Sequence, residues 1–335
     1  MTKKIAINGF GRIGRAAFKI ALEKKDIKIE AINDLVSADT LAHLLRYDTI
    51  YGRYDKEVIA RDRMLIIDGE EFPVYAESDP KKLPWKKLKI DAVLECTGRF
   101  TDQASASQHI EAGARKVILS APAKAKGQDD ITPTFLLGVN ENDYSGQAVI
   151  SNASCTTHSL APIAKILDET FGIKKALMTT IHSYTADQNL QDGPHKDLRR
   201  ARAAGQNIVP TTTGAAISIT KALPTLDRVF DGISVRVPTI VVSLSDLTVL
   251  LKRKTTKEEI NQTLKNAAAD SRYQQILATT EEPLVSSDFI GSPYSSIADL
   301  SMTKVIDGDL AKVIAWYDNE WGYSNRLVEI AQLIA

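Results

Sequence analysis

Lys4-Ile-Ala-Ile-Asn8 runs straight into Gly9-Phe-Gly-Arg-Ile-Gly14, and this junction decides the fold of the first half of the chain. The apolar run reads as a short buried strand. The glycines fit G-x-G-x-x-G, and Ile13, Ala17, Phe18 and Ala21 then recur on one face of a helix. Ile27-Lys-Ile-Glu-Ala-Ile-Asn-Asp34 reads as a second strand, and Asp34 lies twenty residues after Gly14. Gly9, Gly11 and Gly14 let backbone approach a pyrophosphate, whose charge faces the helix N-terminus. The Asp34 carboxylate can accept hydrogen bonds from adenosine ribose hydroxyls and would repel a 2′-phosphate. Glycines alone would also suit a tight turn without a ligand. Strand, turn, helix, strand and acid in order predict a dinucleotide site.

The alternation continues through two buried strands, Asp91-Ala-Val-Leu-Glu-Cys-Thr-Gly and Lys116-Val-Ile-Leu-Ser-Ala-Pro. Residues at the carboxyl ends of parallel strands line the cofactor crevice, so Thr97 and Ser120 are candidate contacts, with an ordinary turn role as the alternative. Cys96 reads as a core residue of its strand. Residues 51–90 are charged, with short strand patterns such as Arg63-Met-Leu-Ile-Ile-Asp-Gly, and read as an antiparallel excursion.

The chain has 335 residues, enough for two domains, and 42 basic residues against 42 acidic ones. No charge excess draws it to nucleic acid or to a membrane surface, and no apolar run approaches the roughly 18 residues needed to span a bilayer. Met1-Thr-Lys-Lys leads directly into a strand-like run rather than a signal-peptide pattern. Two cysteines make no disulfide framework, and no metal-ligand spacing is evident. These features predict a cytoplasmic enzyme with reduced thiols.

The second half turns on Ser151-Asn-Ala-Ser-Cys-Thr-Thr. Ala148-Val-Ile precedes it as a strand. Leu160, Ile163, Ile166, Leu167 and Phe171 follow at helical spacing, with Gly172 as the stop. Cys155 therefore falls at a helix N-terminus, where unpaired N–H groups and the dipole favour a thiolate. A thiolate attacks carbonyl carbon, although most free cysteines are buried structural thiols. Lys175-Ala-Leu-Met-Thr-Thr-Ile-His182 is a strand ending in histidine. One helical crossover can bring His182 to the same sheet edge as Cys155, where an imidazole would stabilise the thiolate and act as general base.

Residues 183–210 form a long polar loop carrying Lys196, Arg199, Arg200 and Arg202, which suits anion binding or a subunit contact. Thr211-Thr-Thr-Gly-Ala-Ala is a hydroxyl-rich turn before a helix, a natural anion-binding end. Ile233-Ser-Val-Arg-Val-Pro places Arg236 on an apolar strand, where it wants either a phosphate or a buried salt bridge. Residues 238–251 alternate as one strand of an antiparallel sheet, residues 256–269 read as a helix, and residues 324–334 as a final helix.

Taken together, Ile7-Asn-Gly-Phe-Gly-Arg-Ile-Gly-Arg, Ser151-Asn-Ala-Ser-Cys-Thr-Thr, Pro194-His-Lys-Asp-Leu-Arg-Arg-Ala-Arg-Ala-Ala, Arg236-Val-Pro-Thr and Trp316-Tyr-Asp-Asn-Glu-Trp-Gly-Tyr-Ser resemble the glyceraldehyde-3-phosphate dehydrogenase family, from the first strand to the last helix. The resemblance implies an α/β chain with a Rossmann-type doubly wound parallel sheet over residues 1–151. An α+β catalytic domain with a mainly antiparallel sheet would follow over 152–317, and a C-terminal helix, 318–335, would return to the first domain. It also implies NAD as cofactor and a homotetramer in which the 183–206 loop packs near a neighbour's cofactor. Cys155 would form a hemithioacetal with glyceraldehyde 3-phosphate, with His182 as base. Inorganic phosphate would then attack the resulting thioester. By the same resemblance Arg12, Ile13, Asp34, Ser120 and Asn319 contact NAD. Thr185, Asp187 and Arg236 hold the substrate phosphate, and Ser154, Thr156, Arg200, Thr213 and Gly214 the attacking one.

The chain departs from the family pattern at His158 and Ser159, where Asn and often Cys are usual. Ile217 replaces a common lysine, Gly193 a leucine that helps exclude NADP, and Ser78 an arginine near the adenine. Two readings compete. The related erythrose-4-phosphate dehydrogenases hydrolyse the thioester, and a dinucleotide-binding regulator would not turn over at all.

Overall fold

The computed structural model describes residues 2–124 and 132–335. The chain divides into two compact units, one built from residues 1–135, 142–153 and 324–335, the other from 136–141 and 154–323.

The first unit carries an eight-stranded sheet. Its order is Val149–Ser151, Lys116–Leu119, Ala92–Glu95, Lys3–Asn8, Ile27–Asn33, Glu70–Tyr75, Met64–Ile67 and Val58–Arg61. Pairing is parallel as far as Glu70–Tyr75 and antiparallel beyond it. The charged segment is therefore more than an excursion. Its last strand joins the parallel sheet beside Ile27–Asn33, which alternating charge in residues 51–90 concealed. The order reverses between Lys3–Asn8 and Ala92–Glu95, and ligands in such sheets bind outside the carboxyl ends at that switch point. The helix Arg12–Leu22 buries Gly14, Ala16, Ala17, Phe18, Ile20 and Ala21, the apolar stripe read from its sequence with Ile13 left at the margin.

The second unit carries a seven-stranded sheet. Its order is Val209–Thr211, Phe230–Val237, Ile173–Ser183, Ser243–Leu251, Leu310–Tyr317, Ser296–Ile306 and Leu277–Thr280. Four of the six pairings are antiparallel. Ser243–Leu251 alternates buried and half-exposed residues along its whole length, as a two-period strand must. Residues 238–242 lie outside the strand, where Val242 takes a φ of 67°. The helix Cys155–Phe171 packs on this sheet and buries Leu160, Ile163, Ile166, Leu167 and Phe171. Gly172, with a φ of 69°, ends it. The final helix spans Trp321–Ile334, starting three residues earlier than its apolar pattern suggested, because Asp318 accepts the N–H groups of Glu320 and Trp321 and so holds its start.

Leu247 is fully buried in the central strand of this sheet. Leu247→Ala should destabilise the chain by about 2–5 kcal/mol, read as a lower urea midpoint.

Candidate active site

At the switch point of the first sheet lies a cleft of about 270 Å³ lined by Asn8, Gly9, Gly11, Asn33, Asp34, Leu35, Glu77, Ser78, Cys96, Thr97, Arg99 and Phe100. Gly9 has a φ of +92°, and a Cβ there would stand 2.7 Å from the Thr97 backbone nitrogen. A Cβ on Gly14 would fall 2.1 Å from the Gly9 carbonyl oxygen. Only glycine permits this close packing of turn on strand and helix. Gly11 caps the following helix without a side-chain hydrogen bond. Asp34 accepts the Phe10 N–H at 2.7 Å and the Val36 N–H at 3.0 Å, which fixes its carboxylate against the cleft. These features fit a dinucleotide: a cradle kept open by missing side chains and an acid held at the second strand's end.

Of the expected cofactor contacts, Gly9, Gly11, Asp34, Ser78 and Thr97 line the cleft; Arg12, Ile13, Gly14 and Ser120 do not. Arg12 is ion-paired with Asp48. The Ser120 N–H donates to the Glu95 carbonyl. Cys96 corrects the sequence reading. It lies past the end of its strand and lines the cleft, and burial pushes its thiol up to about 12.

Sequence reasoning missed a buried polar network beneath the cleft. Glu95 receives Asn8 Nδ2, the Thr97 N–H and hydroxyl, and His109 Nε2 at 3.1 Å. Trp85 Nε1 donates to His109 Nδ1 at 2.9 Å, and an indole can only donate, so His109 carries its proton on Nε2. Asn33 bridges Asn8 to the Glu77 backbone. Polar residues ending apolar strands were the available signal.

In the second unit Ser154 caps the helix Cys155–Phe171, accepting the Thr157 N–H at 3.2 Å, so Cys155 occupies the first helical position. His182 lies near the end of Ile173–Ser183, and its Nε2 stands 3.5 Å from the Cys155 Sγ. The His182 Nδ1 faces the Ser183 carbonyl at 2.7 Å, which requires the proton on Nδ1 and leaves the Nε2 lone pair toward the sulfur. Arg236 is the register partner of His182 on the neighbouring strand. Its Nη1 donates to the Thr185 hydroxyl at 2.7 Å, and its Nε is buried with no partner among the described residues.

Burial pushes the Cys155 thiol up to about 11, while Arg236, the Thr156 hydroxyl and the N–H groups of Thr156 and Cys155 pull it down. Burial and Arg236 lower His182 to about 3. Burial thus opposes charge on either group, while Arg236 and the hydrogen bonds to sulfur favour the thiolate.

Thr185 donates its hydroxyl to Asp187, and Arg200 pairs with the same carboxylate. Burial raises the Asp187 carboxyl, but Thr185, Arg236 and Arg200 outweigh it and hold the group below its ordinary value. Arg200 also reaches the Thr211 hydroxyl and the Thr212 carbonyl. Thr213 accepts the Ala215 N–H, and Gly214 begins the helix Ala215–Ala222. Two guanidinium groups and a hydroxyl-rich helix start therefore belong to the same unit as Cys155. The hydroxyl of Thr156, expected at the attacking phosphate, is buried and bonded to Tyr317. The Asn319 Oδ1 accepts the hydroxyls of Ser183 and Ser243, each at 3.0 Å, which leaves its NH₂ as the free end. Among the described residues no group of three His, Cys, Asp or Glu side chains is placed to hold a metal ion.

Family models described as the glyceraldehyde 3-phosphate dehydrogenase NAD binding domain and C-terminal domain match residues 3–103 and 154–319. The chain belongs to the glyceraldehyde-3-phosphate dehydrogenase family. It is 53% identical to glyceraldehyde-3-phosphate dehydrogenase of Geobacillus stearothermophilus, over 100% of this chain and 99% of that protein. It is 52% identical to glyceraldehyde-3-phosphate dehydrogenase 2 of Streptomyces avermitilis over the same shares. The Borreliella burgdorferi enzyme is 52% identical over 98% of each chain. Membership makes the chain an NAD-dependent oxidoreductase.

Asp34→Ala should weaken NAD binding by about tenfold, one lost charge-assisted hydrogen-bond pair, and should narrow the preference for NAD over NADP. Fluorescence titration with both nucleotides measures each change.

Proposed function

We propose that the chain oxidises D-glyceraldehyde 3-phosphate to 1,3-bisphosphoglycerate in glycolysis and gluconeogenesis, with NAD and inorganic phosphate, through a thioester on Cys155. The observation that carries this reading is the facing pair of Cys155 Sγ and His182 Nε2 beside Arg236. His182 takes the thiol proton as sulfur attacks the aldehyde carbon, then returns it to the new oxyanion to give a hemithioacetal. The backbone N–H at Cys155 stabilises that oxyanion. Bound NAD supplies a hydride acceptor. As hydride leaves the carbon, His182 Nε2 accepts the hydroxyl proton, and a thioester remains on Cys155. Phosphate oxygen then attacks the thioester carbonyl, and the sulfur departs as a thiolate beside the imidazolium.

Two anions need two places. The buried, unpartnered Nε of Arg236 suits the substrate's own phosphate, which would complete a bidentate contact with the guanidinium. The Thr213–Gly214 turn at the helix start, with Arg200 nearby in the sequence fold, suits the attacking phosphate. Ile217 is exposed one turn into that helix, so the site lacks a cation there. Proximity to the thioester makes phosphate a faster acceptor than water.

A homotetramer in the cytoplasm completes the proposal. The 183–208 loop presents Leu190, Leu198 and Ile208 at 83%, 81% and 71% exposure, apolar surface that suits a contact with a neighbouring subunit. No helix among the described residues is long and apolar enough to cross a membrane.

Cys155→Ser should abolish NADH formation while leaving NAD affinity intact, because a serine hydroxyl is too weak an acid for this base. His182→Asn should slow turnover and shift the pH profile of thiol alkylation upward, since the thiolate loses its proton acceptor. An unchanged profile would break the pairing. Turnover should depend on inorganic phosphate, with arsenate as a substitute. Sustained turnover at zero phosphate, unaltered on addition, would instead indicate hydrolysis, as in the erythrose-4-phosphate dehydrogenases.

A further inference from the structure

The mechanism above leaves one buried polar side chain beside the nucleophile without a role. Tyr317 ends the strand Leu310–Tyr317 and is 1% exposed. Its hydroxyl lies 2.8 Å from Thr156 Oγ1 and 2.7 Å from Thr180 Oγ1. Its ring meets the His182 ring edge to face, with centroids 6.1 Å apart. Thr156 follows Cys155 at the helix start, and its hydroxyl favours the thiolate. Thr180 lies two residues before His182 on the same strand, so both point to one face of the sheet.

Each hydroxyl has one proton, and counting protons orders the chain. For Thr156 to donate to sulfur, its oxygen must accept from Tyr317, and Tyr317 must then accept from Thr180. Among the described residues Thr180 has no other partner to claim its proton. The Ser243 hydroxyl is also within reach of Tyr317, but its own proton goes to Asn319, so it cannot supply the proton that Tyr317 accepts. Burial keeps the Tyr317 phenol protonated by raising it above its ordinary value.

We propose that Thr180, Tyr317 and Thr156 form a directed hydroxyl chain that ends on the Cys155 sulfur, and that Tyr317 is a positioning residue which aims the Thr156 hydroxyl at the thiolate. The chain acts through charge: an O–H pointed at sulfur stabilises the thiolate and does nothing comparable for the neutral thiol. It also ties the helix start to the strand that bears His182, which holds sulfur and imidazole at transfer distance. The other charged or titratable groups facing the sulfur are His182 and Arg236, with Asp187 and Arg200 beyond Arg236. None of these lies in the hydroxyl chain.

The inference rests on the nucleophilic reading of Cys155, and its test needs no substrate. Iodoacetamide alkylation of the NAD-free enzyme is followed against pH, with peptide mass spectrometry to separate Cys155 from Cys96. Tyr317→Phe keeps the ring and removes the hydroxyl. It should lower the alkylation rate at neutral pH by about tenfold, as loss of a hydrogen bond to a charged group does, and should move the pH midpoint upward, with NAD affinity unchanged. Thr180→Val should move the midpoint in the same direction by less, and Thr180→Ser should restore it. If Tyr317→Phe does not fold, the Thr180 pair decides alone. A midpoint unmoved in Tyr317→Phe, or in Thr180→Val when Tyr317→Phe does not fold, overturns the proposal. So does a shift that Thr180→Ser fails to restore. A wild-type enzyme that alkylates with this profile yet makes no NADH from glyceraldehyde 3-phosphate would instead count against the proposed reaction.

Discussion

A helix start and a strand end meet on one sheet, and the proposed chemistry depends on that meeting. Cys155 opens its helix under a Ser154 cap, and His182 sits near the end of the strand that follows the same helix. The strand before the helix belongs to the other sheet, so the two groups meet not through a crossover within one sheet but because the helix runs through Gly172 directly into the strand that carries His182. Helix N–H groups and Arg236 favour sulfur as an anion, while burial opposes any charge.

The same economy governs the nucleotide cleft. Gly9 and Gly14 are fixed by close approach: a side chain on either would strike backbone. Beneath the cleft the Trp85–His109–Glu95–Asn8–Asn33 network gives each side chain at least one buried partner and links the strand ends that form the cleft wall. A half-satisfied network in that position would be costly, so its members hold one another in a single arrangement.

Much of this was legible in the sequence because short-range rules suffice for it. G-x-G-x-x-G after a strand, an acid at the end of the next, and a cysteine at a helix start each follow from local geometry. What escaped needed distant partners. The strand Glu70–Tyr75 joins the parallel sheet because Ile32 and Asn33 pair with Val74 and Tyr75, and no local pattern shows that pairing. The Thr156 hydroxyl turns to Tyr317, a residue 161 positions away. Cys96 looked like core because its strand is apolar, yet the strand stops at Glu95 and the residue lines the cleft. His158, an unusual residue beside the nucleophile's helix turn, is buried with its ring edge-to-face on Tyr323, 5.5 Å between centroids.

The most direct measurement is the mass of the enzyme after mixing with NAD and glyceraldehyde 3-phosphate in phosphate-free buffer, quenched in acid and digested. A thioester route predicts a 3-phosphoglyceryl adduct on the peptide containing Cys155, one per chain, that disappears when phosphate is added before the quench. An adduct on another residue, or none while NADH is formed, would contradict it.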